Sequence, residues 1–304
     1  MAEHEVRWRG GVVRPTYDYV VTALTDRERI RELLHSRIDY TAYALGQLEP
    51  GLFERTRWFQ ARGDTGTGVV LHSRGGLGDA TFAMGDADAV AAVLSIHPGP
   101  THTYATCQPQ HLNALQGVYR LSSQQPMIRM IVTAAEFQPS VGKHTVGLNG
   151  YDIRRINGLY GTEGGPSYYV PEHIDAGIYR GVIVEGRLVA VAGTHVVARQ
   201  EGVAVVGNVF THPAYRGRGF ASAATSAVTA TLLSCCDYAV LTVDPNNAPA
   251  VKAYQRLGYR EACQLVEASA SRRDISGLSS TIRRARAAMR GRKYEGSFVS
   301  LRAG

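Results

Sequence analysis

Between residues 178 and 266 the hydrophobic period switches once, and that switch restricts the fold more than any other feature of the chain. Residues 178–184, 188–197 and 203–211 are apolar, β-branched runs separated by turn signals at Glu185-Gly186 and at 199–202. This is the pattern of antiparallel strands joined by tight turns. Residues 220–233 then read as an Ala-rich helix, 238–243 as a strand, 247–257 as a second helix and 259–266 as a further strand. A meander followed by strand, helix, strand predicts an α+β fold, a mixed sheet with one crossover region.

A chain of 304 residues has room for two such units. In the first half, Thr25 and Glu28 form a capping-box signature ahead of Ile30, Leu33 and Leu34. Residues 67–73 and 79–84 read as strands around a glycine-rich hairpin connection from Arg74 to Gly78. Residues 87–95 read as a helix entered from Gly85 and Asp86, 111–121 as a helix and 127–133 as a strand, whereas residues 1–24 have no clear period. Residues 137–142, rich in Pro, Ser and Gly, suit a linker. The expected organisation is therefore an N-terminal α+β domain at 1–140, a second domain at 141–270 and a basic extension at 271–304.

The net charge of +7 belongs to that extension, where nine basic residues face only Asp274 and Glu295. Residues 1–271 sum to zero, which argues against a nucleic-acid-binding body and for a small ligand. Within the extension, Ile282, Ala285 and Met289 share one helical face and Arg283, Arg286 and Arg290 another over residues 279–291. A solvated extension is the first reading; an acidic partner, a homo-oligomer contact or an anionic membrane surface is the second. Cys107, Cys235, Cys236 and Cys263 have no zinc spacing and read as structural, so no metal is expected. Without an apolar run of spanning length or a secretory leader, a cytoplasmic protein with no transmembrane segment is expected.

The chemistry concentrates where the third strand of the meander meets the Ala-rich helix. There the sequence runs Val209, Phe210, Thr211, His212, Pro213, then Arg216, Gly217, Arg218, Gly219, Phe220, Ala221 and Ser222. The first N–H groups of a helix lack intrahelical partners and carry partial positive charge, so they suit a pyrophosphate, and glycines let the backbone approach it. A second motif follows: Asn247, Ala250, Tyr254, Gly258 and Tyr259. Ala250 and Tyr254 lie one turn apart on one face, and Gly258 ends the helix. Each motif has a plainer reading by itself, as a solvated basic turn and as an amphipathic helix with a core tyrosine.

In this order and separation the two motifs resemble the Gcn5-related N-acetyltransferase (GNAT) superfamily. Arg216, Gly219 and Ala221 match its acyl-coenzyme A signature, and the stretch from Asn247 to Tyr259 matches the helix that follows; the resemblance covers residues 145–268. It implies an N-acyltransferase with acetyl-CoA as co-substrate, bound by Val209, Phe210, Thr211, Arg216, Gly217, Arg218, Gly219, Phe220, Ala221, Ser222, Asn246, Asn247 and Tyr254. It further implies a bulged strand whose N–H near Val209 polarises the thioester carbonyl, and a protonated Tyr254 as general acid toward the departing thiolate.

The family has no fixed general base, so candidates come from position alone: His195 in the second strand, His212 after the third, and Glu163. The first half lacks the acyl-CoA signature and reads as a degenerate copy of the fold, a layout similar to tandem GNAT and glycine N-acyltransferase-like proteins. Tyr40, Tyr43, Trp58 and Phe59 could line a shared acceptor pocket, although apolar core is the expected place for them. The acceptor implied is a primary amine of a small molecule or amino acid, with a protein lysine as alternative. A non-catalytic acyl-CoA-binding regulator is the alternative from another class.

Overall fold

The computed structural model describes residues 16–75, 78–163, 169–291 and 294–302. Gly76 and Leu77 of the hairpin connection, residues 164–168 of the Tyr-rich loop, and Arg292 and Lys293 of the extension lie outside the described residues. The elements in order are β1 (Thr16–Leu24), α1 (Arg27–His35), α2 (Ile38–Gly46), β2 (Thr56–Gly63), β3 (Gly66–Ser73), β4 (Ala80–Gly85), α3 (Ala87–Ile96), β5 (His102–Cys107), α4 (Leu112–Val118), β6 (Tyr119–Thr133), β7 (Val146–Leu148), α5 (Ile153–Tyr160) and α6 (Pro171–Asp175). They continue with β8 (Tyr179–Val184), β9 (Arg187–Ala198), β10 (Val203–Thr211), α7 (Phe220–Leu233), β11 (Tyr238–Val243), α8 (Ala248–Arg256), β12 (Arg260–Arg272), α9 (Leu278–Arg290) and β13 (Ser297–Arg302).

All thirteen strands join one mixed sheet in the order β13-β1-β2-β3-β4-β5-β12-β6-β11-β10-β9-β8-β7. Each half runs an antiparallel meander into a helix and then a parallel strand: β4-α3-β5 in the first, β10-α7-β11 in the second. The halves also exchange strands. Antiparallel β12 inserts between β5 and β6, and β6 in turn lies between β12 and β11, so a strand from each half completes the other's ladder.

One face of this junction is covered by α1 and α2 of the first half. Ile30, Leu34, Tyr40 and Leu45 pack there against Trp58 and Leu71 of the first half and against Val203, Val205 and Val240 of the second. Contact is close: an added Cβ on Gly46 of α2 would lie 2.5 Å from Val196 Cγ1 on β9. At the rim, Glu201, buried after β9, accepts from Arg31 Nε and Nη2 at 2.9 Å each and contacts His35 Nε2 at 3.1 Å. Burial pushes the Glu201 carboxyl up, but the hydrogen bonds from Arg31 and His35, together with the Arg31 charge, outweigh it and leave the pKa below its ordinary value.

Several local expectations shift. One residue on from Thr25, the α1 cap is Asp26, whose Oδ1 accepts from Glu28 N at 2.9 Å and Arg29 N at 3.2 Å, the first-turn N–H groups. The helix expected over 111–121 stops at Val118, and β6 begins at Tyr119 and runs through Pro126. β1, β2 and β5 have no clear counterpart in the sequence reading; β2 is buried on both faces from Trp58 to Ala61 and so loses the polar–apolar alternation.

The extension folds back rather than standing in solvent. β13 pairs with β1 at the sheet edge, and α9 lies along α3. The face that docks is not the expected apolar one: Ile282 and Met289 are exposed, Ala287 is buried, and Arg283 Nε and Arg284 Nε donate to the carbonyls of Ser95 (2.7 Å) and Ile96 (3.2 Å). Those carbonyls end α3, where partial negative charge favours guanidinium groups. Among the described residues no helix is long and apolar enough to cross a membrane, and no cluster of three or more His, Cys, Asp or Glu is arranged to hold a metal.

Candidate functional site

Two bulges build the centre of the site. On β9, Val196 pairs with Val205 and Thr194 with Val206, which leaves His195 as the extra residue. On β10, Gly207 pairs with Gly193 and Phe210 with Val191, so Asn208 and Val209 together face the single Ala192. Bulges of this kind re-aim side chains and interrupt the ladder. Asn208 takes φ +53°, the left-handed region that asparagine tolerates better than most residues. Gly207 carries the imidazole directly above it, and an added Cβ would meet His195 Cε1 at 2.4 Å.

Beyond the bulge the parallel strands separate. β10 pairs with β11 only from Val203–Tyr238 to Val206–Leu241, and the rest of each strand has no partner in the other. Gly207 to Thr211 therefore line one arm of a fork and Thr242 and Val243 the other.

The two bulges are wired together. His195 Nε2 lies 3.0 Å from Asn208 Oδ1, and His195 Nδ1 lies 2.6 Å from the Tyr43 hydroxyl of α2. Asn208 Oδ1 also accepts from the Tyr169 hydroxyl at 2.8 Å, while its Nδ2 donates to Tyr179 Oη at 2.7 Å and its carbonyl accepts from Tyr160 at 2.6 Å. The tautomer that satisfies these contacts is a neutral imidazole with the proton on Nε2 and the Nδ1 lone pair receiving Tyr43 O–H. His195 is reached by solvent yet surrounded by protein, as on the wall of a cleft. Desolvation there lowers its pKa, opposed by the Asn208 hydrogen bond and the charge of Glu267. Burial pushes the Tyr43 phenol up to about 12, with Arg129 opposing.

The loop expected to meet phosphate leads into the start of α7. Gly217 and Gly219 both have φ +75°, and Gly219 enters the helix with no side-chain cap and no acidic residue in the first turn. An added Cβ on Gly217 would meet nothing within 4 Å, so this backbone is open to a ligand. Lys143, from the linker, places Nζ 4.8 Å over the Phe220 ring, and Arg218 lies over Tyr215. Arg216 turns back to form an ion pair with Glu163 and donates from Nε to Thr211 O at 3.3 Å. An open, acid-free helix start ringed by cations fits the pyrophosphate of coenzyme A.

Tyr254, on α8, is 9% exposed and packs edge-on against Tyr259 at 6.1 Å. The two phenols differ: Tyr259 is hydrogen-bonded to Thr229 Oγ1 at 2.7 Å, whereas the Tyr254 hydroxyl has no hydrogen-bond partner among the described residues. Burial pushes the Tyr254 phenol up to about 12. Asn247 Oδ1 caps α8 through Ala250 N at 3.3 Å, and exposed Asn246 lies in the turn before it.

His212 and Glu163 lie apart from the bulges in their contacts. His212 Nδ1 accepts from Ala214 N at 3.2 Å as the cap of a short 3-10 turn, and it borders a cavity of about 480 Å³ at the β8–β9 turn with Arg155 and Arg187. Glu163 is engaged in an ion pair with Arg216. Of the first-half aromatics, Tyr40, Trp58 and Phe59 are core and Tyr43 reaches the cleft.

Residues 151–259 match the family model described as Acetyltransferase (GNAT) family. That segment is a GNAT-family domain. No curated protein matches the chain. Among solved structures it is similar to a Drosophila protein (13% identity, TM-score 0.57, 83% of this chain and 98% of that one). It is also similar to a GCN5-related N-acetyltransferase from Sphaerobacter thermophilus (14%, 0.51, 84% and 95%) and to a GNAT-family acetyltransferase from Colwellia psychrerythraea (12%, 0.50, 82% and 98%). At these identities the likeness is one of fold, and it extends over both halves of the chain.

Asn208, Tyr160, Tyr179 and Lys143, which make these site contacts, are not singled out by the sequence. An asparagine inside a strand, a residue type that tolerates positive φ, was the available signal for the bulge.

Proposed function

We propose that the chain is an acetyl-CoA-dependent N-acyltransferase acting on a primary amine of a small molecule or amino acid. The observation that carries this reading is the fork: β10 leaves β11 at the Asn208–Val209 bulge, which His195 contacts, runs on to an uncapped helix start, and has Val209 and Val243 in the same core as the unpartnered Tyr254 phenol. Gly217, Gly219 and the first-turn N–H groups of α7 hold the pyrophosphate, with Lys143 and Arg218 adding charge. Backbone of β10 around Val209 lines the pantetheine arm and directs an N–H toward the acyl oxygen. Acetyl-CoA, when bound, supplies an acyl group activated as a thioester, so that a C–N bond forms as the C–S bond breaks.

The residues of this chain handle the protons. An ammonium has no lone pair, so the acceptor must be neutral to attack. His195, kept neutral by its surroundings, takes that proton at Nδ1 through the Tyr43 hydroxyl, which passes its own proton on as it receives the amine's. Tyr254 stays protonated at neutral pH and donates from Oη to the sulfur. Residues of both halves thus serve one centre.

Incubating the protein with acetyl-CoA and pools of primary amines, while following free thiol, tests the reading; thiol release that requires an amine supports it. Tight CoA binding with no release would point instead to a binding protein. Tyr254→Phe is expected to lower kcat roughly 100-fold with little change in CoA affinity. An unchanged rate and pH profile would remove Tyr254 from the mechanism.

A further inference from the structure

Arg129, on the exchanged strand β6, heads the fully buried side chains of the described residues at 1% exposure. Its Nε and Nη1 have no hydrogen-bond partner, and it belongs to none of the ion pairs among the described residues. Its guanidinium lies 4.8 Å over the Tyr43 ring. A cation–π contact offsets only part of the cost of taking a guanidinium out of water, and arginine does not escape that cost by losing its proton. A buried arginine left this way is matched to an anion.

Its position says which molecule would bring that anion. In register Arg129 opposes Thr242 of β11, so the two side chains are neighbours, and Thr242 Oγ1 is likewise buried without a hydrogen bond of ordinary geometry, although it lies near enough to the Tyr43 hydroxyl to favour the ionised phenol. Thr242 directly follows Leu241, the last residue at which β11 pairs with β10. Both orphan groups therefore stand at the fork. They lie on the sheet face covered by α2, since Ile131 and Val240, two residues along the same strands, pack in the α2 core. That is the face from which Tyr43 meets His195. The carboxylate whose charge reaches both of these residues, Glu267, is engaged by the Tyr104 hydroxyl at 2.9 Å.

We infer that Arg129, with Thr242 donating beside it, binds a carboxylate carried by the acceptor, so that the acceptors are amino acids and related amino carboxylates rather than plain alkylamines. A guanidinium fork and a hydroxyl match the two oxygens of one carboxylate. This inference rests on the N-acyltransferase reading for the direction of transfer, but the binding it describes can be measured without turnover.

The test compares acceptors that differ only in the carboxylate: each amino acid against its primary amide, and β-alanine against its amide. The wild-type protein is expected to favour the carboxylate member roughly 10- to 100-fold in kcat/KM, the range of a charge-assisted hydrogen-bonded pair. Arg129→Gln is expected to collapse that ratio to within about threefold, through KM, and Arg129→Lys to restore part of it. Independently of turnover, the preferred amino acid should raise the melting temperature of the CoA-bound wild type and not of CoA-bound Arg129→Gln. Equal use of acid and amide by the wild type overturns the inference, as does a preference that survives Arg129→Gln. If Arg129→Gln does not fold, the wild-type comparison alone decides. If no amine supports thiol release, the acyltransferase reading falls; a melting shift lost in Arg129→Gln would then still support the carboxylate site, and no shift with any amino acid would overturn it.

Discussion

Each half of the sheet runs a strand into a crossover helix and returns by a parallel strand, yet α3 and α7 begin in opposite ways. At α3, Asp86 caps the first turn, accepting from Asp88 N at 3.1 Å and Ala89 N at 3.0 Å, and Asp88 adds a second carboxylate. Gly85 is jammed against β3, where an added Cβ would lie 2.2 Å from Thr67 O. At α7 there is no side-chain cap, no acid and open space at Gly217. The strands differ as well: β4 pairs with β3 without a register shift, whereas β10 carries the bulge. Both halves keep a tyrosine hydroxyl on a strand carbonyl beyond the paired segment, Tyr40 on Ala83 and Tyr160 on Asn208, both at 2.6 Å. The β-α-β layout is thus present in both halves, while only the second leaves its helix start without a side-chain cap or an acid.

The largest expected effect comes from giving α7 the acid of α3. Ala221→Asp puts a carboxylate in the first turn, where it competes with pyrophosphate for the same N–H groups, and should weaken CoA binding by roughly 30- to 100-fold in calorimetry. Unchanged affinity would mean that the helix start is not where the pyrophosphate sits.

Acid unfolding sharpens the comparison between buried and cleft histidines. Burial lowers His72 and His97 of the first half to about 4 each, the latter also against Arg284. Between pH 6.5 and 4 the unfolded chain gains protons that the folded chain refuses, so stability is full above about 6.5 and declines as pH falls toward 4. Denaturant titrations should give a slope of roughly 1–2 kcal/mol per pH unit over that window. In kcat/KM, the acid limb should lie below the ordinary imidazole value, because His195 is also lowered.

The smallest effect is expected from Asp86→Ala. It removes the α3 cap, so it should cost about 1 kcal/mol of stability in chemical denaturation and leave CoA affinity within twofold. A large loss of CoA binding would instead give α3 a part in the coenzyme site.

Much of the second half was legible before the structure. The meander, the bounds of α7 and β11, and the glycines at positive φ follow from period and turn chemistry, which act within a few residues of sequence. His195 stood ahead of His212 and Glu163 as a base candidate on sequence position, and its place on a bulge and its contact with Tyr43 are what the sequence period did not carry. The first half was harder, because β1, β2 and β5 are strands whose burial depends on neighbours brought from afar.

The sequence by itself determined the order of elements from β8 to β12 and the open loop from Arg216 to Ala221, since strand alternation, helix period and the glycine requirement are properties of adjacent residues. Tertiary structure alone decided that β6 and β12 trade places, that α2 brings Tyr43 to His195, and that Arg129 is buried at the fork without a counterion. These depend on which strands lie side by side, and a bulge or an exchanged strand changes which side chain faces which neighbour while leaving the sequence period almost untouched.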